Sequence, residues 1–219
     1  MAPKTALLVV DMQVVFEPMT TTALPNIIKL CEHFSETSAP IVFTKHGHPK
    51  VEMVPDSCSQ LVRKWGVSGS IGEGSRKGEI MPELHKFLPR NYLNRTAEQC
   101  QQLLQQKQQV TIGESLPEPT SPEFPKLVPK NTYDAFIHTP LATILEHAAI
   151  ERVIVVGVMT DCCVDTTGRA AFNRGYETWV ISDACGSAND GQHQMGIRGF
   201  EFAFGEVMTT QEALRRMAT

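Results

Sequence analysis

The chain has 219 residues, 42% hydrophobic and 20% charged, with 24 acidic against 20 basic side chains and a net charge of −4. That length suffices for one sizeable core, whereas two domains would each be small, so a single domain over residues 1–219 is expected. A mildly acidic chain with no basic cluster argues against nucleic acid or an anionic membrane as partner, and no apolar run approaches the roughly 20 residues of a bilayer span.

Residues 1–4 lead straight into an apolar run, without the charged and apolar regions of a signal peptide. Residues 5–10 (TALLVV) read as a buried strand ending at Asp11. Residues 25–36 carry apolar side chains at 27, 28, 30, 31 and 34, a helical stripe entered through Pro25. A second strand is expected at 41–44, a glycine-rich loop at 66–78 and a short helix at 82–87. Residues 89–129 form a Gln/Pro-rich insertion. Its first half is helical in propensity (96–109), and its second half is punctuated by prolines that preclude long regular structure. The alternation then resumes, with a helix at 139–148, a strand at 153–158 and a helix from 163 or 164 to 174. A strand at 178–182, a helix at 193–202, a strand at 205–208 and a helix at 210–217 complete it.

Strands alternating with helices predict an α/β fold, a three-layer sandwich with a mostly parallel, doubly wound sheet. Ligands of such sheets bind at the carboxyl ends of the strands. Asp11, the His46 region, Lys130 and residues 159–163 all fall at or just beyond the ends of apolar segments. The six cysteines (Cys31, Cys58, Cys100, Cys162, Cys163 and Cys185) match neither a zinc spacing nor a disulfide framework. A reducing compartment follows, and the protein is read as cytoplasmic.

The segment VIVVGVMTDCCV (153–164) carries the most chemical information. A β-branched strand breaks at Met159-Thr160-Asp161 and delivers a cysteine to a helix start, where free amides and the helix dipole favour thiolate. Two small hydrophobes in a core are the alternative. Asp11, at a strand end, could equally be a turn residue, and Lys130 taken alone could be an ordinary solvated lysine. Together the three types form a consistent set. A thiolate attacks a carbonyl carbon, a carboxylate moves the proton, and an ammonium holds the carboxylate.

Five motifs then occur in one order: LLVVDMQ at 7–13 with Phe16, GEIMPEL at 78–84, Lys130-x-x-Tyr-Asp-Ala-Phe136, GVMTDCCV at 157–164, and Asp183-Ala-Cys185. With these the chain resembles the isochorismatase-like cysteine hydrolases, which include nicotinamidases and N-carbamoylsarcosine amidases. The resemblance implies Asp11 as general base and acid, Lys130 as its partner and Cys163 as nucleophile, with Cys162 structural. It also implies a non-proline cis peptide between Val158 and Met159, with the Met159 and Cys163 amides forming an oxyanion hole. Phe16 and Tyr133 are candidate pocket residues. A small-molecule substrate and a homo-oligomer are expected on the same grounds.

Two departures narrow the activity. The nicotinamidase pattern has Asp-x-His and a later histidine as metal ligands, whereas this chain has His46-Gly47-His48. These two imidazoles would bind zinc only if a third ligand converged, so loop histidines and no cofactor are expected. Members that cleave isochorismate typically lack the cysteine. Cys163 therefore points to a small amide, carbamoyl or related C–N bond cleaved through a thioester acyl-enzyme. The alternatives are an enol-ether hydrolase that leaves the thiol unused, and a non-catalytic protein binding a metabolite or partner on the same fold.

Overall fold

The computed structural model describes residues 2–89 and 123–218. Strands β1 (Thr5–Val10), β2 (Ile41–His46), β3 (Lys126–Lys130), β4 (Arg152–Val158), β5 (Glu177–Gly186) and β6 (Glu206–Met208) form one sheet. Its order is β3-β2-β1-β4-β5-β6, with every pair parallel. The helices are α1 (Ala23–Glu36), α2 (Gln60–Gly69), α3 (Leu141–His147), α4 (Asp165–Asn173), α5 (Asp190–Ala203) and α6 (Thr210–Met217).

Side chains of a strand alternate between faces, and here both faces are buried. Leu7 and Val9 of β1 join Ile154, Val156 and Val158 of β4 in one core, closed by Ile27, Leu30 and Phe34 of α1 and Ala213 of α6. Ala6, Leu8 and Val10 join Val153 and Val155 in the other, closed by Leu141 and Leu145 of α3, Ala171 of α4 and Phe200 of α5. These near-continuous apolar strands flanked by helical stripes produce the three layers expected from the sequence. Each fully buried aliphatic side chain contributes about 1.5–3 kcal/mol.

From β1 the chain steps outward through β2 to β3, then returns to place β4 on the other side of β1. The strand order reverses between β1 and β4, so their carboxyl ends diverge around a crevice. These two strands approach closely at Val10 and Gly157, which are register partners. Gly157 has φ 117°, and a Cβ there would lie 2.1 Å from the Val10 carbonyl oxygen. Only glycine fits that crossing.

Two segments differ from the sequence reading. Helix α2 occupies residues expected to lie before and within a loop. Ser59 caps it, and Gly66 kinks it at φ 71° without ending it. The insertion expected to run to Pro129 ends instead in β3, which pairs with β2 from Val42↔Lys126 to His46↔Lys130. Pro129 is accommodated because, among the described residues, β3 is the edge strand of the sheet. The helix expected at 96–109 and most of the insertion lie outside the described residues. Among the described residues no helix is long and apolar enough to cross a membrane.

Candidate active site

β1 ends at Val10, and the next residue, Asp11, turns the backbone out of the strand at φ 49°, a left-handed conformation that Asp tolerates better than most residues. Thr44, near the end of β2, fixes the carboxylate. Its hydroxyl donates to Asp11 Oδ1 at 2.6 Å and accepts the Asp11 amide at 3.1 Å. Lys130 closes β3, with its Nζ 2.6 Å from Asp11 Oδ2 and both side chains fully excluded from solvent. The same ammonium donates to the carbonyls of Thr132 (2.9 Å) and Tyr133 (3.3 Å). Three adjacent strand ends thus build one buried ion pair.

The fourth strand end brings the sulfur. After the cis peptide Val158–Met159, a single π-helical turn, Thr160–Val164, carries Cys163 into α4. The Met159 carbonyl accepts the amides of Cys162 (3.0 Å) and Val164 (3.1 Å). Among the described residues no turn or cap hydrogen bond occupies the amides of Met159 or Cys163. The Cys163 thiol is electrostatically coupled to both Lys130 and Asp11, and the residue is only 7% exposed.

The electrostatics follow from this enclosure. Burial would push the Asp11 carboxyl up, but Lys130, with help from His46, holds it below the usual carboxylate range. Burial works against the Lys130 charge as well, and Asp11 and Cys163 together raise its pKa. Burial pushes the Cys163 thiol up, against the pull of Lys130 and with the added effect of Asp11. Together these shifts favour a carboxylate on Asp11 and an ammonium on Lys130 and disfavour a thiolate on Cys163. A helix start favours the anion, whereas burial and a carboxylate neighbour oppose it.

The candidate pocket residues fall on opposite faces of the sheet. Phe16, in a 3-10 helix at Val14–Met19, packs with Met159 against the core beneath α1. Tyr133 packs on the other core, electrostatically coupled to Cys162 and Cys163. Its hydroxyl accepts a 2.8 Å hydrogen bond from the indole N–H of Trp65 on α2, a half-exposed residue that sequence reasoning missed. Gln13 is also new. Fully buried, it donates to the His46 (2.8 Å) and Gly78 (2.9 Å) carbonyls and accepts the His46 amide, tying β1, β2 and the following loop together.

His46 and His48 contact each other, Nε2 to Nε2, at 3.1 Å, and His48 Nδ1 meets Glu52 Oε2 at 2.7 Å. Burial pushes His46 down to about 4. Among the described residues no three His, Cys, Asp or Glu side chains are grouped to hold a metal ion. Two imidazoles alone fall short of the three or four protein ligands that a zinc site uses. A separate cavity of about 380 Å³ lies at the amino-terminal edge of the sheet between Glu146, Glu151, Arg174 and Tyr176, and includes none of the site residues.

The family model described as "Isochorismatase domain" matches residues 5–112 and 106–212. The chain is similar to nicotinamidase 3 of Arabidopsis thaliana, at 27% identity across 97% of this chain and 88% of that protein. It is similar to the ureidoacrylate amidohydrolase RutB of Methylorubrum extorquens, at 32% identity over 59% of this chain and about half (52%) of that protein. Among solved structures, a cysteine hydrolase from Pseudomonas syringae pv. phaseolicola superposes with a TM-score of 0.71. It is 23% identical and covers 98% of this chain and 92% of its own, a likeness of fold.

Proposed function

The chain belongs to the isochorismatase-like hydrolase family, and on that footing we propose that it is a cysteine amidohydrolase cleaving a small amide, carbamoyl or related C–N bond. The observation that carries this reading is the meeting of a buried Asp11–Lys130 ion pair with Cys163 at the crevice where the strand order reverses. Relatives whose names mark them as amide hydrolases support it.

With the thiol favoured over the thiolate, its proton leaves as the C–S bond forms, and Asp11 Oδ2 receives it. Lys130 keeps that oxygen oriented, and its positive charge offsets the negative charge that develops in the pocket. The carbonyl oxygen becomes an oxyanion facing the Met159 and Cys163 amides. Collapse breaks the C–N bond, the leaving nitrogen takes the proton from Asp11, and a thioester on Cys163 remains. Asp11, again a carboxylate, then draws a proton from water as the water oxygen attacks the thioester. The acid departs and the thiol regains its proton.

The test is turnover of a panel of small primary amides, carbamoyl compounds and isochorismate by wild type and Cys163→Ala. Ammonia or amine release by wild type alone is the expected result. Equal isochorismate cleavage by both proteins would instead assign enol-ether hydrolysis, with Asp11 as acid and the thiol unused.

A further inference from the structure

The turn that carries Cys163 is held from outside by groups that take no part in the chemistry described above. Thr160, its first residue, is 2% exposed. The Thr160 hydroxyl sits between two partners, the Gly186 carbonyl at 2.9 Å and His193 Nδ1 at 2.8 Å. A hydroxyl has one hydrogen, and a carbonyl can only accept it. The Thr160 hydrogen therefore goes to Gly186, and His193 must supply its own, so Nδ1 is protonated and donates to Thr160 Oγ1. Gly186 is the last residue of β5 and the register partner of Val158, so this hydroxyl bridges the ends of β5 and β4.

A second contact lies one residue along. Asp161 accepts a hydrogen bond from Ser187, just beyond β5. On α5, Gly196 shares a face with His193 three residues earlier. A Cβ at Gly196 would fall 2.9 Å from the Asp161 Cα, 3.0 Å from its amide nitrogen and 3.1 Å from the Thr160 carbonyl carbon. The α5 backbone thus rests directly on the turn, where no side chain fits.

We propose that α5 and the end of β5 form a clamp that sets the position of the Met159 and Cys163 amides, with Thr160 and His193 as positioning residues for the oxyanion. This rests on the reading of Cys163 as an acyl-transfer nucleophile. The clamp touches neither the sulfur nor its proton acceptor. Loosening it lowers the rate of steps that create an oxyanion, while leaving steps that use only the sulfur unchanged. A displacement near 1 Å in such a constellation lowers rate on the order of 100-fold.

Two reagents separate those steps without knowledge of the natural substrate. Acetylation of the thiol by p-nitrophenyl acetate passes through a tetrahedral oxyanion. The C–S bond forms, the C–O bond breaks, p-nitrophenolate departs, and the thiol proton passes through Asp11 to solvent. Alkylation by iodoacetamide displaces iodide with no oxyanion. Both rates are measured at Cys163 in wild type, Thr160→Val, Thr160→Ser, His193→Ala, Gly196→Ala and Cys163→Ala. The clamp predicts acetylation slowed about 10- to 100-fold in Thr160→Val, His193→Ala and Gly196→Ala. It predicts alkylation within about twofold of wild type in all three, and near-complete recovery of acetylation in Thr160→Ser. His193 is only half-buried, so its alanine variant tests the proposal even if Gly196→Ala does not fold. Unchanged acetylation in Thr160→Val and His193→Ala, or an equal fall in both reactions, would overturn the clamp. Wild-type acetylation no faster than in Cys163→Ala would overturn the acyl-transfer reading itself, and the clamp with it.

Discussion

Asp11 Oδ2 lies 2.6 Å from Lys130 Nζ, and neither side chain exposes any surface to solvent. Each charge is sustained there by the other, by Thr44 on the carboxylate and by the Thr132 and Tyr133 carbonyls around the ammonium. Removing one partner leaves an uncompensated buried charge, at a cost of about 3–5 kcal/mol. Asp11→Asn and Lys130→Met should each lose stability on that scale in urea unfolding. The double variant should lose much less than the sum of the two, because no lone charge remains. All three should lose about 10²- to 10⁴-fold in turnover, the usual range for general acid–base catalysis. Additive stability losses would mean the pair is not coupled.

Thr44 acts on Asp11 at both ends, its hydroxyl bonding the carboxylate and the backbone amide. Thr44→Val keeps the shape and removes both bonds, leaving buried polar atoms unsatisfied, at about 1–3 kcal/mol. With the base less firmly oriented, kcat should fall about tenfold and KM should hardly move. A change confined to KM would place Thr44 in substrate binding instead.

His46 links the fold to pH. Its imidazole takes up a proton near pH 6.5 in the unfolded chain but only near 4 in the fold, chiefly because it is buried, with Lys130 and His48 acting in the same direction and Asp11 opposing. Between those values the unfolded state binds more protons, so stability falls as pH drops from about 6.5 towards 4. The full loss is roughly 3 kcal/mol. Below that range Asp11, whose carboxyl is held low, adds a second loss as it becomes protonated. Urea midpoints at pH 7 and pH 4.5 should differ markedly for wild type and much less for His46→Gln. Equal differences would assign the acid sensitivity elsewhere.

Cys162 and Cys163 are neighbours with different surroundings. Cys163 faces Asp11 and Lys130, whereas Cys162 is half-buried, its thiol raised to about 11 by burial and by Asp161 and Asp165. Cys162→Ser should turn over within about twofold of wild type, and Cys163→Ser should lose about 10³-fold or more. Comparable losses in both would indicate that the pair acts together.

How much of this was legible in sequence depends on how local each signal is. The buried strands β1 and β4 are near-continuous apolar runs, and the three candidate catalytic residues sit in motifs at the ends of their segments. Helix α2 was hidden because Gly66 and Gly69 read as loop, although Ser59 offered a cap. Strand β3 was hidden because Pro129 breaks a central strand but not an edge strand. The buried staples Gln13 and Thr44, the Trp65–Tyr133 hydrogen bond and the Thr160–His193 contact join residues 33 to 68 positions apart. No periodicity records such pairs, because each depends on which strand ends the topology brings together.

If Cys163 carries the acyl group, acid-quenched intact-protein mass spectrometry during turnover of a reactive small amide detects it. A mass increase equal to one acyl group is expected on wild type, mapped by peptide digestion to Cys163 and not Cys162, and absent from Cys163→Ala. Full turnover by Cys163→Ala, with no adduct on either protein, would contradict that role for Cys163.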